Sequence, residues 1–233
     1  MAADVDEKTL ASNLARLNEG INRALERSGR KGPVKIVAVT KGVSPGSIRR
    51  ARELGISLFG ENRVQEARQK VAEGVFDGAE LHLIGHLQTN KASLAARMFS
   101  CIQSVDSTRV AFILSQAAAR YGRICQVMLE VNVVGDPSKF GISPEECLDL
   151  ARYVVDLPGI VLTGLMTVAP ENPESARKAF RGLAALRDHL LSEGIPARFL
   201  AELSMGMTSD YEIAVEEGST MVRIGRGLFG ERS

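Results

Sequence analysis

The sequence predicts an α/β fold, and within that class a single (β/α)8 TIM barrel with an additional N-terminal helix. Three observations predict it. Eight short β-type runs lie along 233 residues, and a helical pattern follows nearly every one. Such alternation implies parallel strands joined by right-handed crossovers, and eight units suit a closed barrel. The competing doubly wound open sheet would usually carry a Gly-rich dinucleotide turn after its first strand. Here that turn reads Lys41-Gly42-Val43-Ser44-Pro45, without the fingerprint.

The first element is a helix from Asp6 to about Ser28, with Leu10, Leu14, Leu17, Ile21 and Leu25 at three- and four-residue spacing. That stripe is expected to pack residues 1–30 onto the barrel, and residues 1–233 are expected to form one domain. The β-type runs follow near Lys35 to Lys41, Ser57 to Glu61, Leu81 to His86, Cys101 to Val105, Cys125 to Val133, Val161 to Met166, Phe199 to Ser204, and Met221 to Gly225. Helical segments begin near Pro45, Arg63, Gln88, Thr108, Pro144, Pro173 and Ser209. The three prolines stand where a first helical turn tolerates proline.

Composition narrows the function. Hydrophobic residues are 45% and charged residues 24% of the chain, enough for a sizeable core. The formal net charge is +1, and no Lys/Arg run interleaves with aromatics, which argues against nucleic-acid binding. No apolar stretch reaches membrane-spanning length, and the polar N-terminus is no signal peptide. Cys101, Cys125 and Cys147 offer neither zinc spacing nor a disulfide framework, so a reducing cytoplasm is expected.

In such a barrel, functional groups gather where strands run into their βα loops. Lys41 ends the first strand on the face of Val37 and Val39. It is either a lysine reaching to water or an amine placed to condense with an aldehyde. Ser204 and Gly206 after strand seven, and Gly225-Arg226-Gly227 after strand eight, have the chemistry of an anion site, with Thr208 or Ser209 as a cap. Arg223 points inward two residues before Gly225, and a buried arginine needs a partner. That partner is either a carboxylate such as Glu130 or Glu202, or an acceptor on a ligand. His82 and His86 are about 14 Å apart by strand rise, too far to share a metal, and no metal site is expected. Each reads as a core or loop histidine before a catalytic base.

The segments VAVTKG, FGENRVQEARQK, HLIGHLQTNK, SVDS, KFGI, GLMTVAP and LSMGMTSDYEIAVEEGSTMVRIGRGLFGER occur in that order along nearly the whole chain. In them the chain resembles the pyridoxal phosphate homeostasis proteins, relatives of the alanine racemase N-terminal barrel. The resemblance implies a fold-type III barrel for pyridoxal 5′-phosphate (PLP), with Lys41 as the Schiff-base lysine. It implies a phosphate near Ser204, Met205, Gly225 and Arg226, and Arg223 against the pyridine nitrogen. It assigns Asn62, His82 and Met166 to the pocket lining and Lys139 to a secondary PLP contact. Two residues depart from the family pattern: Arg63 stands where an aromatic is common, and Arg226 where Thr or Ser is common.

The resemblance implies a non-enzymatic PLP carrier in vitamin B6 homeostasis, passing PLP to apo-enzymes, as monomer or homodimer. An arginine at the ring nitrogen weakens the electron sink. The second base that alanine racemase takes from a further β-domain is not expected in a chain ending eight residues after Gly225. A weak amino-acid racemase is the alternative. A phosphate-ligand barrel using Lys41 only as a counter-charge is a third reading.

Overall fold

The structure is a computed structural model that describes residues 4–230. Its elements are α1 (Glu7–Ser28), β1 (Lys35–Val39), α2 (Pro45–Glu53), β2 (Leu58–Glu61), α3 (Val64–Ala72), β3 (Glu80–Leu83), α4 (Ala92–Met98), β4 (Cys101–Val105) and α5 (Thr108–Arg120). They continue with β5 (Cys125–Glu130), α6 (Cys147–Val155), β6 (Ile160–Met166), α7 (Pro173–Ser192), β7 (Glu202–Ser204), α8 (Tyr211–Glu216), β8 (Met221–Ile224) and α9 (Arg226–Phe229). The strands pair in chain order, all parallel, and β8 closes on β1. This is the expected (β/α)8 barrel.

Strand parity sorts the side chains. Ala38, Phe59, Leu83, Ile102, Leu129, Leu165, Leu203 and Val222 are all 0% exposed and face the helices. Gln103, Met128, Met166, Ser204 and Arg223 face the barrel interior, where Cys101, Met128 and Met166 make a small separate apolar cluster. Burial on both faces explains near-continuous apolar runs such as Ile36-Val37-Ala38-Val39. The register shifts between Ile102 and Val105 and between Val127 and Met128, so simple alternation fails there.

Asp6 caps α1, its Oδ1 accepting from the Thr9 N–H at 2.9 Å. Leu10, Leu17, Ile21 and Ala24 are buried against α8, α9 and α2. Each buried leucine or isoleucine of that stripe contributes about 1.5–3 kcal/mol. Asn13 Nδ2 also donates to Leu228 O at 2.8 Å, tying this helix to the far end of the chain.

Several boundaries differ from expectation. β5 stops at Glu130 because Asn132 closes a loop: its Nδ2 donates to Asp136 O, and its Oδ1 accepts from Asp136 N. α6 begins at Cys147 instead of Pro144, because residues 144–146 form a turn of i→i+3 bonds, Glu146 N to Ser143 O at 3.2 Å and Cys147 N to Pro144 O at 3.3 Å. A 3-10 turn, Ala197–Phe199, takes the start expected for strand seven, and α9 was not expected at all. β3 ends at Leu83, short of His86, which leaves residues 84–88 to form the rim.

Candidate functional site

Lys41 lies just past β1, half-buried, in a turn that other residues hold in place. Thr40 N–H continues the ladder to Gly60 O at 2.9 Å, and Thr40 Oγ1 donates to Glu61 Oε1 at 2.7 Å. Lys70 of α3 donates to Thr40 O at 2.6 Å, to Glu61 Oε1 at 2.7 Å and to Glu66 Oε1 at 2.9 Å. Glu66 Oε1 also accepts from Gly42 N at 2.6 Å. The polar groups on both sides of Lys41 are therefore clamped to one buried ion cluster. Gly42 has φ +68°, a left-handed conformation that suits glycine, so the chain can reverse directly after the lysine. Burial raises the Glu61 carboxyl, against the opposing pull of Lys70. Burial acts the same way on Glu66, but hydrogen bonds from Lys70 and Gly42 outweigh it and hold that carboxyl low.

Arg223 is 4% exposed and points into the barrel. Its NH1 donates to Ser204 Oγ and its NH2 to Thr167 O, each at 2.8 Å. Among the described residues no carboxylate lies within 4.0 Å of the guanidinium. Glu202 is at the other end of the barrel, paired with Lys35 at 2.6 Å. Glu130 faces the same interior, but its Oε2 is buried without a hydrogen-bond partner among the described residues. Burial lowers Arg223 to about 10, opposed by Glu130 and Asp210, so it stays protonated at neutral pH. Burial, helped by Asp106 and opposed by Arg223, raises Glu130 to about 7. The buried arginine thus has neutral partners and N–H groups to spare, the condition that calls for an acceptor on a ligand.

The loops after β7 and β8 adjoin this arginine. Gly206 has φ +96°, and a Cβ there would stand 2.5 Å from Ala214 Cβ. Its carbonyl accepts from Arg223 N at 2.9 Å, while Asp210 Oδ1 accepts from Met207 N at 2.5 Å and fixes the loop. Thr208 Oγ1 accepts from Gly227 N at 3.1 Å, which sets its hydroxyl beside the Gly225-Arg226-Gly227 turn. The N–H groups of Gly206, Ser209 and Gly225 find no acceptor among the described residues. Together these are donors suited to an anion.

The remaining residues singled out in the sequence divide between two places. Asn62 and Arg63 line a cleft of about 390 Å³ with Lys41, Gly85, His86, Gln88 and Lys91. Met166 is a buried floor residue. Arg226 is exposed at the start of α9. Lys139 Nζ donates to Val168 O at 3.1 Å, next to the carbonyl that Arg223 uses. Three residues turn out differently. The Met205 side chain packs in the outer core and its N–H donates to Met221 O at 3.1 Å, so neither is turned to the mouth. Ser204 Oγ is committed to Arg223 and to Gln103 Oε1, the latter at 2.6 Å. His82 lines a cavity of about 450 Å³ at the N-terminal mouth, with Lys35, Glu80 and Glu202, and not the Lys41 cleft.

Sequence reading also missed contributors. Thr208 entered only as a helix cap, Glu61 only as a strand end, and Gln103, Lys70 and Glu66 not at all. For Lys70 a signal exists: Glu66 and Lys70 have i,i+4 spacing just after the strand-end Glu61. His86 stacks on Phe140 with ring centroids 3.9 Å apart, and its Nδ1 is 3.5 Å from Asp106 Oδ2. Tyr211 turns away from the mouth, its hydroxyl lying against Gly20 of α1.

Residues 12–233 match the family model described as alanine racemase, N-terminal domain. The pyridoxal phosphate homeostasis protein of Aquifex aeolicus is 43% identical over 223 residues, covering 94% of this chain and 96% of that protein. The chain belongs to the pyridoxal phosphate homeostasis protein family. Another member, from Escherichia coli K12, is 36% identical over 237 residues, covering 96% of this chain and 97% of that protein. A solved structure of PipY from Synechococcus elongatus PCC7942, with PLP bound, shares 35% identity and a TM-score of 0.83, covering 95% of this chain and all of that one. Alanine racemase of Clostridium difficile 630 shares the fold at 18% identity and TM-score 0.75, covering 96% of this chain and 56% of that one. Among the described residues no helix is long and apolar enough to cross a membrane.

Proposed function

We propose that this chain is a PLP-binding protein of cytoplasmic vitamin B6 homeostasis, holding PLP through a Schiff base at Lys41 and passing it to apo-enzymes, without strong turnover of its own. The observation that carries this reading is the buried Arg223, protonated and without a carboxylate partner, at the mouth where Lys41 is clamped. When bound, PLP supplies an aldehyde for amine capture and a ring that withdraws electron density. Lys41 provides the capturing amine. Arg223 would donate to the ring nitrogen and keep it unprotonated, because arginine has no acceptor to offer. The Gly206, Ser209 and Gly225 N–H groups with the Thr208 hydroxyl would hold the phosphate, and Arg226 would add positive charge at its edge. Asn62 lines the Lys41 side of the site and Met166 its floor. Three free, buried cysteines accord with a reducing compartment.

A racemase would need a second acid–base group near Lys41. No tyrosine suits: Tyr211 faces α1, Tyr121 pairs with Ser93 at 3.4 Å, and Tyr153 lies on α6. His86, in the Lys41 cleft beside Asp106, is the group on which that second reading rests. The two readings part in deuterium oxide. PLP-loaded protein incubated with L-alanine should show neither D-isomer nor α-deuterium at enzyme-like rates, usually about 1–10³ s⁻¹. It should still restore activity to an apo-enzyme. Rapid α-deuteration lost in Lys41→Ala and in His86→Gln would replace the carrier reading with the racemase.

A further inference from the structure

The interior of the barrel contains a chain of hydrogen bonds that neither the family resemblance nor the anion site accounts for. Arg223 NH1 donates to Ser204 Oγ at 2.8 Å. Ser204 Oγ donates to Gln103 Oε1 at 2.6 Å, and Gln103 Nε2 lies 2.9 Å from His82 Nδ1. Arg223, Ser204, Gln103 and His82 are all nearly or fully buried, and they come from β8, β7, β4 and β3. The chain crosses the barrel from the Arg223 mouth to the opposite cavity.

Its direction is fixed at one end. A guanidinium can only donate, so Ser204 Oγ accepts there and turns its own proton to Gln103. The Gln103 amide then presents oxygen to Ser204 and NH₂ to His82. A second contact supports this amide orientation: Nε2 also lies 3.1 Å from Met221 Sδ, an acceptor that an amide oxygen would not approach. His82 Nδ1 must therefore accept, which leaves the proton on Nε2. Burial pushes His82 down to about 4, so its neutral form is the relevant one. Its Nε2 is buried without a hydrogen-bond partner and faces the cavity, with Glu80 Oε2 3.5 Å away.

We propose that Gln103 is a positioning residue for the cofactor: with Ser204 it forms a one-directional relay from Arg223 to a tautomer-locked His82, and the relay fixes the guanidinium that meets the PLP ring nitrogen. The part that concerns the ring rests on the proposed PLP reading. The relay itself belongs to the protein without cofactor. It gives Ser204 and His82 a role apart from phosphate binding and pocket lining: Ser204 orients Arg223, and His82 anchors the far end.

The test uses two nitrogen resonances. The chain has three histidines, so nitrogen-15 histidine labelling with His86→Gln and His189→Gln assigns His82 directly. In the wild-type protein without cofactor, His82 should be a single Nε2–H tautomer with an unprotonated Nδ1. Gln103→Leu, close in volume, should remove that tautomer preference. In protein loaded with nitrogen-15 pyridine-labelled PLP, the same substitution should displace the ring nitrogen resonance, with covalent capture at Lys41 retained. An Nδ1–H tautomer in the wild type overturns the relay, and this measurement needs no variant that must fold. An unmoved ring resonance in folded, loaded Gln103→Leu overturns the positioning role. Failure of the wild type to capture PLP overturns the proposed function instead, while the His82 tautomer still reads the relay.

Discussion

The two mouths of the barrel are built from the same eight strands but treat charge in opposite ways. At the N-terminal mouth charge meets charge: Lys35 is 2.6 Å from Glu202, which also accepts from Thr220 Oγ1 at 2.6 Å, and neutral His82 leaves one buried nitrogen, Nε2, without a hydrogen bond among the described residues. At the C-terminal mouth, among the described residues, a buried guanidinium meets only a hydroxyl and a carbonyl, a buried carboxylate oxygen of Glu130 meets nothing, and backbone donors of two loops lack acceptors. A fold gains nothing in stability by leaving buried polar groups short of partners, since each such group costs about 1–3 kcal/mol. The C-terminal mouth carries more of this cost than the N-terminal one, and the ends of strands that run into βα loops are where such barrels place their ligands.

The contrast is broken most severely by removing what supports the C-terminal mouth. Lys70→Met leaves Glu61, with no exposure, facing Thr40 without its cation. The expected loss is about 3–5 kcal/mol in urea unfolding, the usual cost of stranding one member of a buried pair. Capture of PLP at Lys41 should weaken as well, because the turn carrying the lysine loses its clamp. A loss under about 1 kcal/mol would mean that the Thr40–Gly42 turn holds itself.

Glu130→Gln sharpens the contrast through pH. Burial raises the Glu130 carboxyl from 4.5 to about 7 in the fold. Between those values the folded state binds the proton that the unfolded state releases, so stability falls as pH rises from about 4.5 through 7. The substitution should leave stability unchanged near pH 4 and raise it at pH 8 by up to about 3 kcal/mol, the free-energy equivalent of that shift. Urea midpoints at the two pH values measure it. Equal midpoint differences at both would show that Glu130 titrates in the fold as it does in the unfolded chain.

The smallest effect belongs to the N-terminal mouth. Lys35→Met removes a pair whose lysine side chain is 53% exposed. About 0–1 kcal/mol is expected, with PLP capture unchanged. A loss of capture would erase the distinction between the mouths.

These differences show what a sequence can carry. Lys41, Arg223 and Gly225 were legible because strand parity is local: two residues along a strand return to the same face. Thr208 was half legible, as a cap. Gln103 was not, because a glutamine in the middle of a short strand has no local signature and its partners come from β3, β7 and β8. Ser204 was read as turned to an anion because its neighbours are glycine-rich, but its bond to Gln103 spans 101 residues of sequence. For His82 the face was right and the depth was not. Side-chain direction along the barrel axis depends on stagger between strands, and the register shifts at β4 and β5 hide that stagger from any single-strand pattern.

On the proposed function Lys41, and no other amine at the C-terminal mouth, captures PLP. Lys91 lines the same cleft and Lys139 reaches the adjoining strand end, so both are real competitors. Borohydride reduction of PLP-loaded protein, followed by proteolysis and peptide mass spectrometry, measures which amine carries the pyridoxyl group. The group is expected on Lys41 in stoichiometric yield, with no covalent adduct in Lys41→Ala. A wild-type adduct on Lys91, Lys139 or Lys35, or an undiminished adduct in Lys41→Ala, would contradict that expectation.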